Sequence, residues 1–232
     1  MTVTETIEQN ANVVYNEDCI QVMKRYPNKF FDLAVVDPPY GIGIANRTGS
    51  IGQRKGQGRL TSYSKKEWDN SVPTAEYWSE LFRVSKNQIV FGANYFTNYL
   101  PPSKCWFIWD KRQPEGVSFA MVELIYTSFN FSSKMFSCSK AFIGNKVANN
   151  KEKAKEYIKL HPTQKPIQIY DWIFSKVATK GIKVLDTHLG SGSSRISANK
   201  AKLHFVGCEI DEEYFNKQNK RYEEFVSQAR LW

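Results

Sequence analysis

Four cysteines are scattered through the 232 residues, at Cys19, Cys105, Cys138 and Cys208, and no two form a C-x-x-C pair. That spacing argues against a zinc site or a disulfide framework, and it fits a reducing, cytosolic compartment. Cys105 and Cys208 fall in apolar runs and read as ordinary buried thiols. Long apolar runs are missing: none approaches the roughly 18 residues that span a bilayer, so no membrane contact is expected. The opening segment, MTVTETIEQNANVVY, has neither the basic nor the apolar stretch of a secretory signal. A complete G-x-G-x-x-G is also absent, which disfavours a dinucleotide cofactor.

Acidic residues are absent from 41–66, GIGIANRTGSIGQRKGQGRLTSYSKK. The segment is rich in Gly, Ser, Lys and Arg and has little periodicity, so it reads as a long, basic, mobile loop. Arg47, Arg54, Lys55 and Arg59 within it are candidate phosphate contacts; a simply solvated loop is the plainer reading. A second polar, lysine-rich insertion lies around 138–160. The chain as a whole carries a net charge of +9, which suits a polyanionic partner such as nucleic acid.

Hydrophobic residues make up 41% of the sequence, so the composition is globular. The length suits one domain spanning 1–232. Strand-like runs at 33–36, 89–91, 105–109, 122–127, 183–185 and 204–208 alternate with helical stretches at 18–26, 74–85, 166–179, 193–201 and 211–228. That alternation predicts an α/β fold with a largely parallel sheet covered on both faces.

Two motifs carry the chemistry. Asp37-Pro38-Pro39-Tyr40 follows the strand FFDLAVV directly, and ligands of open parallel sheets bind beyond the carboxyl ends of strands. The two prolines stiffen the turn. Asp37 and the Pro38 carbonyl can accept hydrogen bonds from an exocyclic amine, and Tyr40 can stack on a planar ring. A base amine is a poor nucleophile because its lone pair is delocalised; two acceptors on its hydrogens localise that pair for attack. The plainer reading is a strand-ending turn with a helix-capping Asp. The second motif is Asp186-Thr187-His188-Leu189-Gly190-Ser191-Gly192, a Gly-rich turn between strand and helix. Glu209 ends the next strand, about 20 positions after the turn, where nucleoside-binding α/β folds place a ribose-hydroxyl clamp.

Together these residues resemble the amino-methyltransferases of DNA that act on adenine N6 or cytosine N4, in the permuted β-type order with D-P-P-Y ahead of the Gly turn. The resemblance covers most of the chain: NEDCIQVMKRYPNKFFDLAVVDPPYG, WFIWDK, MVELIYTS, HPTQKP, DTHLGSGSS and GCEID. It implies a Rossmann-like, mostly parallel seven-stranded sheet. It implies S-adenosylmethionine as cofactor, with Asp18, Asp37, Thr163, Lys165, Asp186, His188, Gly190, Gly192 and Glu209 as candidate contacts. It implies catalysis by Asp37, Pro38, Pro39 and Tyr40 on a flipped-out base. The family's first motif position is often Ser in cytosine enzymes, so Asp37 favours adenine. Cytosine or RNA as substrate stays open, as do a non-catalytic DNA-binding subunit and a nucleotide-dependent oxidoreductase. No metal is implied. A homodimer and a cognate restriction enzyme are open as partners, and the setting would be the cytoplasm of a bacterium or a phage host.

Two departures stand out. Thr187-His188 replaces the family's Pro-Phe, so His188 is either a titrating group or a neutral pocket residue. The stretch between WDK and HPTQKP is too short for a separate recognition domain.

Overall fold

The computed structural model describes residues 12–43, 69–113, 115–116, 120–139 and 160–229. Arg47, Arg54, Lys55 and Arg59, and all but the ends of the 138–160 insertion, lie outside the described residues.

The strands are β1 (Asn12–Tyr15), β2 (Phe31–Val36), β3 (Ser85–Phe91), β4 (Trp106–Asp110), β5 (Val122–Thr127), β6 (Lys134–Ser137), β7 (Lys183–Asp186) and β8 (His204–Cys208). They form an eight-stranded sheet in the order β1-β8-β7-β2-β3-β5-β4-β6. Only β5 runs against its neighbours, pairing antiparallel with β3 and β4. The expected parallel α/β sheet is present, with eight strands where seven were expected. The two strands that the sequence reading passed over, β1 and β6, are four-residue edge strands without a fully buried residue.

The helices are α1 (Cys19–Met23), α2 (Ala75–Val84), α3 (Ile167–Val177), α4 (Ser193–Lys200) and α5 (Glu212–Ala229). α1 is shorter than the 18–26 stretch expected. After Met23 the amides of Arg25 and Tyr26 bond three residues back, to Val22 and Met23, and Pro27 follows. Thr74 caps α2 by accepting from the Tyr77 amide at 3.4 Å, and Tyr77, Trp78, Leu81 and Val84 form its buried stripe.

Alternation along β2 explains why both sheet faces are covered. Ala34 and Val36 enter the core layer of α1 and α2, with Met23, Tyr77 and Leu81. Leu33 and Val35 enter the opposite layer, with Ile169, Ile173 and Phe174 of α3 and Ala198 of α4. Leu33 is 1% exposed, so truncating it to Ala would cost about 2–5 kcal/mol. No described helix is long and apolar enough to cross a membrane.

Candidate active site

β2 and β7 are parallel neighbours, with Leu33 opposite Val184 and Ala34 opposite Leu185. The chain leaves β2 for β3 on one side and β7 for β8 on the other. A reversal of this kind opens a crevice at the carboxyl ends of the two strands. Both sequence motifs end there. They line one cavity of about 470 Å³, within the range of small-molecule sites. Asp37, Pro39, Lys165, Thr163, His188, Gly190, Glu209 and Asp18 all reach its wall, whereas Pro38, Tyr40, Asp186 and Gly192 do not.

Asp186 sits beneath the Gly turn, 1% exposed. It accepts from the His188 amide at 3.0 Å and from the Ser194 hydroxyl, so it fixes the turn from below. Burial pushes its carboxyl up to about 7, against the pull of the Ser194 and His188 hydrogen bonds. Gly192 adopts φ +73 at the start of α4, a left-handed conformation that favours glycine. Glu209 accepts from the Gly190 amide at 2.8 Å and from the Asp211 amide at 2.9 Å. Burial raises its carboxyl above the usual range, and those amides oppose the rise. Asp18 caps α1, accepting from the amides of Ile20 and Gln21.

His188 shares a 2.9 Å hydrogen bond with the Thr187 hydroxyl and packs its ring edge-on to Tyr77. Burial lowers its pKa to about 4, so the neutral reading is the one the structure supports. Thr163 contacts His161 Nδ1 through its hydroxyl at 3.0 Å. His161 stacks edge-on to Tyr214 and lines the same cavity.

The D-P-P-Y turn is held from four directions. The Tyr40 hydroxyl reaches Asp37 Oδ1 at 2.7 Å and Glu123 Oε1 at 2.8 Å. The Lys165 ammonium donates to Asp37 Oδ2 at 2.6 Å and lies 3.0 Å from Glu123 Oε1. Asp69, 1% exposed, accepts from the amides of Tyr40 at 2.8 Å and Gly41 at 3.0 Å. Tyr95 stacks on one face of the Tyr40 ring, with centroids 4.9 Å apart and planes 14° from parallel. Burial and the two carboxylates push the Tyr40 hydroxyl pKa well above 10, so the phenol stays neutral. Burial pulls the Lys165 ammonium down, but Asp37 and Glu123 outweigh it and the net direction is up. Lys165 is therefore a fixed cation rather than a base.

Comparison with known proteins gives the family. The family model for DNA methylases of the N6/N4 type matches residues 97–220. The chain belongs to the N6/N4 DNA methylase family. The type II methyltransferase M1.MboII of Moraxella bovis is 22% identical over 268 residues, covering 90% of this methylase and 95% of the relative. Among solved structures, the M1.HpyAVI–SAM complex has a TM-score of 0.54 at 16% identity, covering 90% of this chain and 98% of that one. The PvuII cytosine-N4-specific DNA methyltransferase has a TM-score of 0.56 at 15% identity, covering 94% and 92%. These two likenesses are of fold.

The cofactor of such a methylase is S-adenosylmethionine, and the cavity suits it. Among the described residues, Glu17, Asp18, Asp37 and Glu209 line it against a single lysine, Lys165. That balance favours a ligand bearing positive charge, as a sulfonium does. Glu209 keeps a carboxylate at the wall beside the Gly190 amide, where a vicinal diol can be held.

Four residues of the methylase site were not visible in the sequence: Asp69, Tyr95, Glu123 and His161. His161 alone had a local signal, as the first residue of HPTQKP.

Proposed function

We propose that this methylase transfers a methyl group from S-adenosylmethionine to the 6-amino group of adenine in DNA, acting as a single catalytic domain over 1–232. The observation that carries the reading is that Asp37 and Glu209 share one cavity, although their motifs lie far apart in the chain. Asp rather than Ser at the first position of D-P-P-Y supports adenine over cytosine.

The cofactor, when bound, supplies an activated methyl group on a cationic sulfur. The protein's own work is then positioning and charge stabilisation. Asp18, Gly190 and Glu209 hold the nucleoside end, with His188 packed beside them. Thr163 and His161 border the other end. Asp37 and the Pro38 carbonyl accept the two amine hydrogens of the base, and Tyr40, backed by Tyr95, stacks on its ring. Base stacking of this kind contributes about 1–3 kcal/mol, which offsets part of the few kcal/mol needed to extrude the base. Asp37 need not act as a strong base, because the methylated amine is acidic and loses its proton to water. Arg47, Arg54, Lys55 and Arg59 contact phosphates and give affinity that falls with salt.

The test is nucleoside mass spectrometry of plasmid DNA after incubation with protein and cofactor. N6-methyladenine is the expected product. N4-methylcytosine, or unmodified DNA from protein that binds the cofactor, would overturn the reading.

A further inference from the structure

Glu123 is an anomaly for a strand. It lies near the start of β5, opposite Trp109 of β4, and is 7% exposed. A carboxylate this buried is costly unless paired. Its Oε2 is 2.8 Å from the Lys111 ammonium, and its Oε1 takes both Lys165 at 3.0 Å and the Tyr40 hydroxyl at 2.8 Å. Because β5 runs opposite to β2 and β3, its first residues arrive at the carboxyl ends of those strands, beside Asp37. Asp37, Glu123 and Lys165 therefore surround the Tyr40 hydroxyl, and Lys111 backs Glu123 from its other oxygen.

The arrangement has a chemical consequence at Asp37. With Glu123 present, Lys165 divides its charge between two carboxylates, and Lys111 neutralises the second. With Glu123 neutral, Lys165 would face Asp37 alone. A carboxylate bound by an undivided ammonium is a weaker acceptor for a third group, here the amine of the base. The Tyr40 hydroxyl would also exchange a charged acceptor for a weaker, neutral one on the side that holds its ring across the turn.

We infer that Glu123 is a positioning residue for methyl transfer: it shares Lys165 with Asp37 and anchors Tyr40, so that Asp37 meets the target amine as a strong, correctly aimed acceptor. This rests on the amino-methyltransferase reading above and holds for either base.

The experiment compares wild type, Glu123→Gln and Glu123→Asp in single-turnover methylation of a DNA duplex. Binding of S-adenosylhomocysteine and thermal melting are measured on each. Glu123→Gln should slow transfer about 100-fold, the scale of a misplaced reacting group, while its cofactor-product affinity stays within about threefold of wild type. Glu123→Asp, which keeps a second carboxylate for Lys165 to share, should recover at least about tenfold of that loss. Transfer by Glu123→Gln within about threefold of wild type would overturn the inference. So would a parallel loss of affinity and melting temperature, or no recovery in Glu123→Asp. The wild-type arm reports separately on the function, since the base it methylates is identified before any ratio is taken.

Discussion

The Lys165 ammonium rests 2.6 Å from the Asp37 carboxylate, across 128 residues of chain. An ionised carboxylate is a stronger acceptor for a base amine than a neutral group. The ammonium fixes the orientation of the Asp37 carboxyl, and Lys165 is itself held charged by Asp37 and Glu123. Asp37→Asn keeps the shape and removes the charge. We expect methyl transfer to fall at least about 100-fold, comparable to the loss of one stabilising contact in other active sites. Binding of S-adenosylhomocysteine, followed by calorimetry, should change little. A variant that still turned over within about tenfold of wild type would remove Asp37 from the reaction.

Asp69 supports the same turn through the backbone. One carboxylate oxygen accepts from two successive amides, those of Tyr40 and Gly41. In Asp69→Ala both lose this acceptor within a site that Asp69 itself fills at 1% exposure. Each buried unsatisfied amide costs about 1–3 kcal/mol. We expect a stability loss of about 2–4 kcal/mol in urea unfolding, and slower transfer in the protein that remains folded. Asp69→Asn, which keeps one carbonyl acceptor, should lose less on both counts.

Much of the site was legible because the decisive residues mark strand ends. Asp37 follows an apolar β-branched run, and Glu209 ends another. Asp69 and Glu123 carry no such mark. Glu123 stands in VELIYT, where one acidic residue in an alternating strand looks like an outward-facing position. Its burial follows from which strands flank β5, and that is a property of sheet order rather than of local pattern. The edge strands β1 and β6 escaped notice for a related reason. NVVY and KMFS are too short, and too exposed, to show a period. Lys165 lay between the two cases: its motif was visible, but pairing with a carboxylate and plain exposure were equally open until the fold placed Asp37 beside it.

His188 gives a pH test with a definite sign. Burial holds its pKa at about 4, below the ordinary 6.5. Between those values the unfolded chain binds a proton that the folded protein does not. The stability linked to His188 is therefore fully present above pH 6.5 and declines as pH falls toward 4. Relative to His188→Phe, the wild type should lose stability over that window in denaturant titrations. Asp186, raised to about 7, works in the opposite direction, but it is common to both proteins and drops out of the difference. Above pH 6.5 the ratio of their affinities for S-adenosylhomocysteine should stay constant. A ratio that moved between pH 6.5 and 8 would mean that His188 titrates in the pocket after all.

Gly92 offers the sharpest test of whether Tyr40 must be held where it is. The residue follows β3 with φ +62, a conformation that costs an L-residue about 1–2 kcal/mol. A Cβ there would lie 2.4 Å from two carbons of the Tyr40 ring and 2.8 Å from its hydroxyl oxygen. The ring cannot yield freely, because Tyr95 covers one face and its hydroxyl is bound to Asp37 and Glu123. Gly92→Ala must therefore either strain the backbone or expel Tyr40 from the cluster. We expect a destabilisation of about 1–3 kcal/mol and loss of methyl transfer. Cofactor binding should persist, because Gly92 is not part of the wall that Gly190 and Glu209 form. The double variant Gly92→Ala/Tyr40→Phe removes one of the contacted atoms but keeps the ring. It should stay as impaired as Gly92→Ala if ring position is what matters. If it instead recovered activity, the clash with the hydroxyl alone would be responsible, and the ring would have kept its place without it.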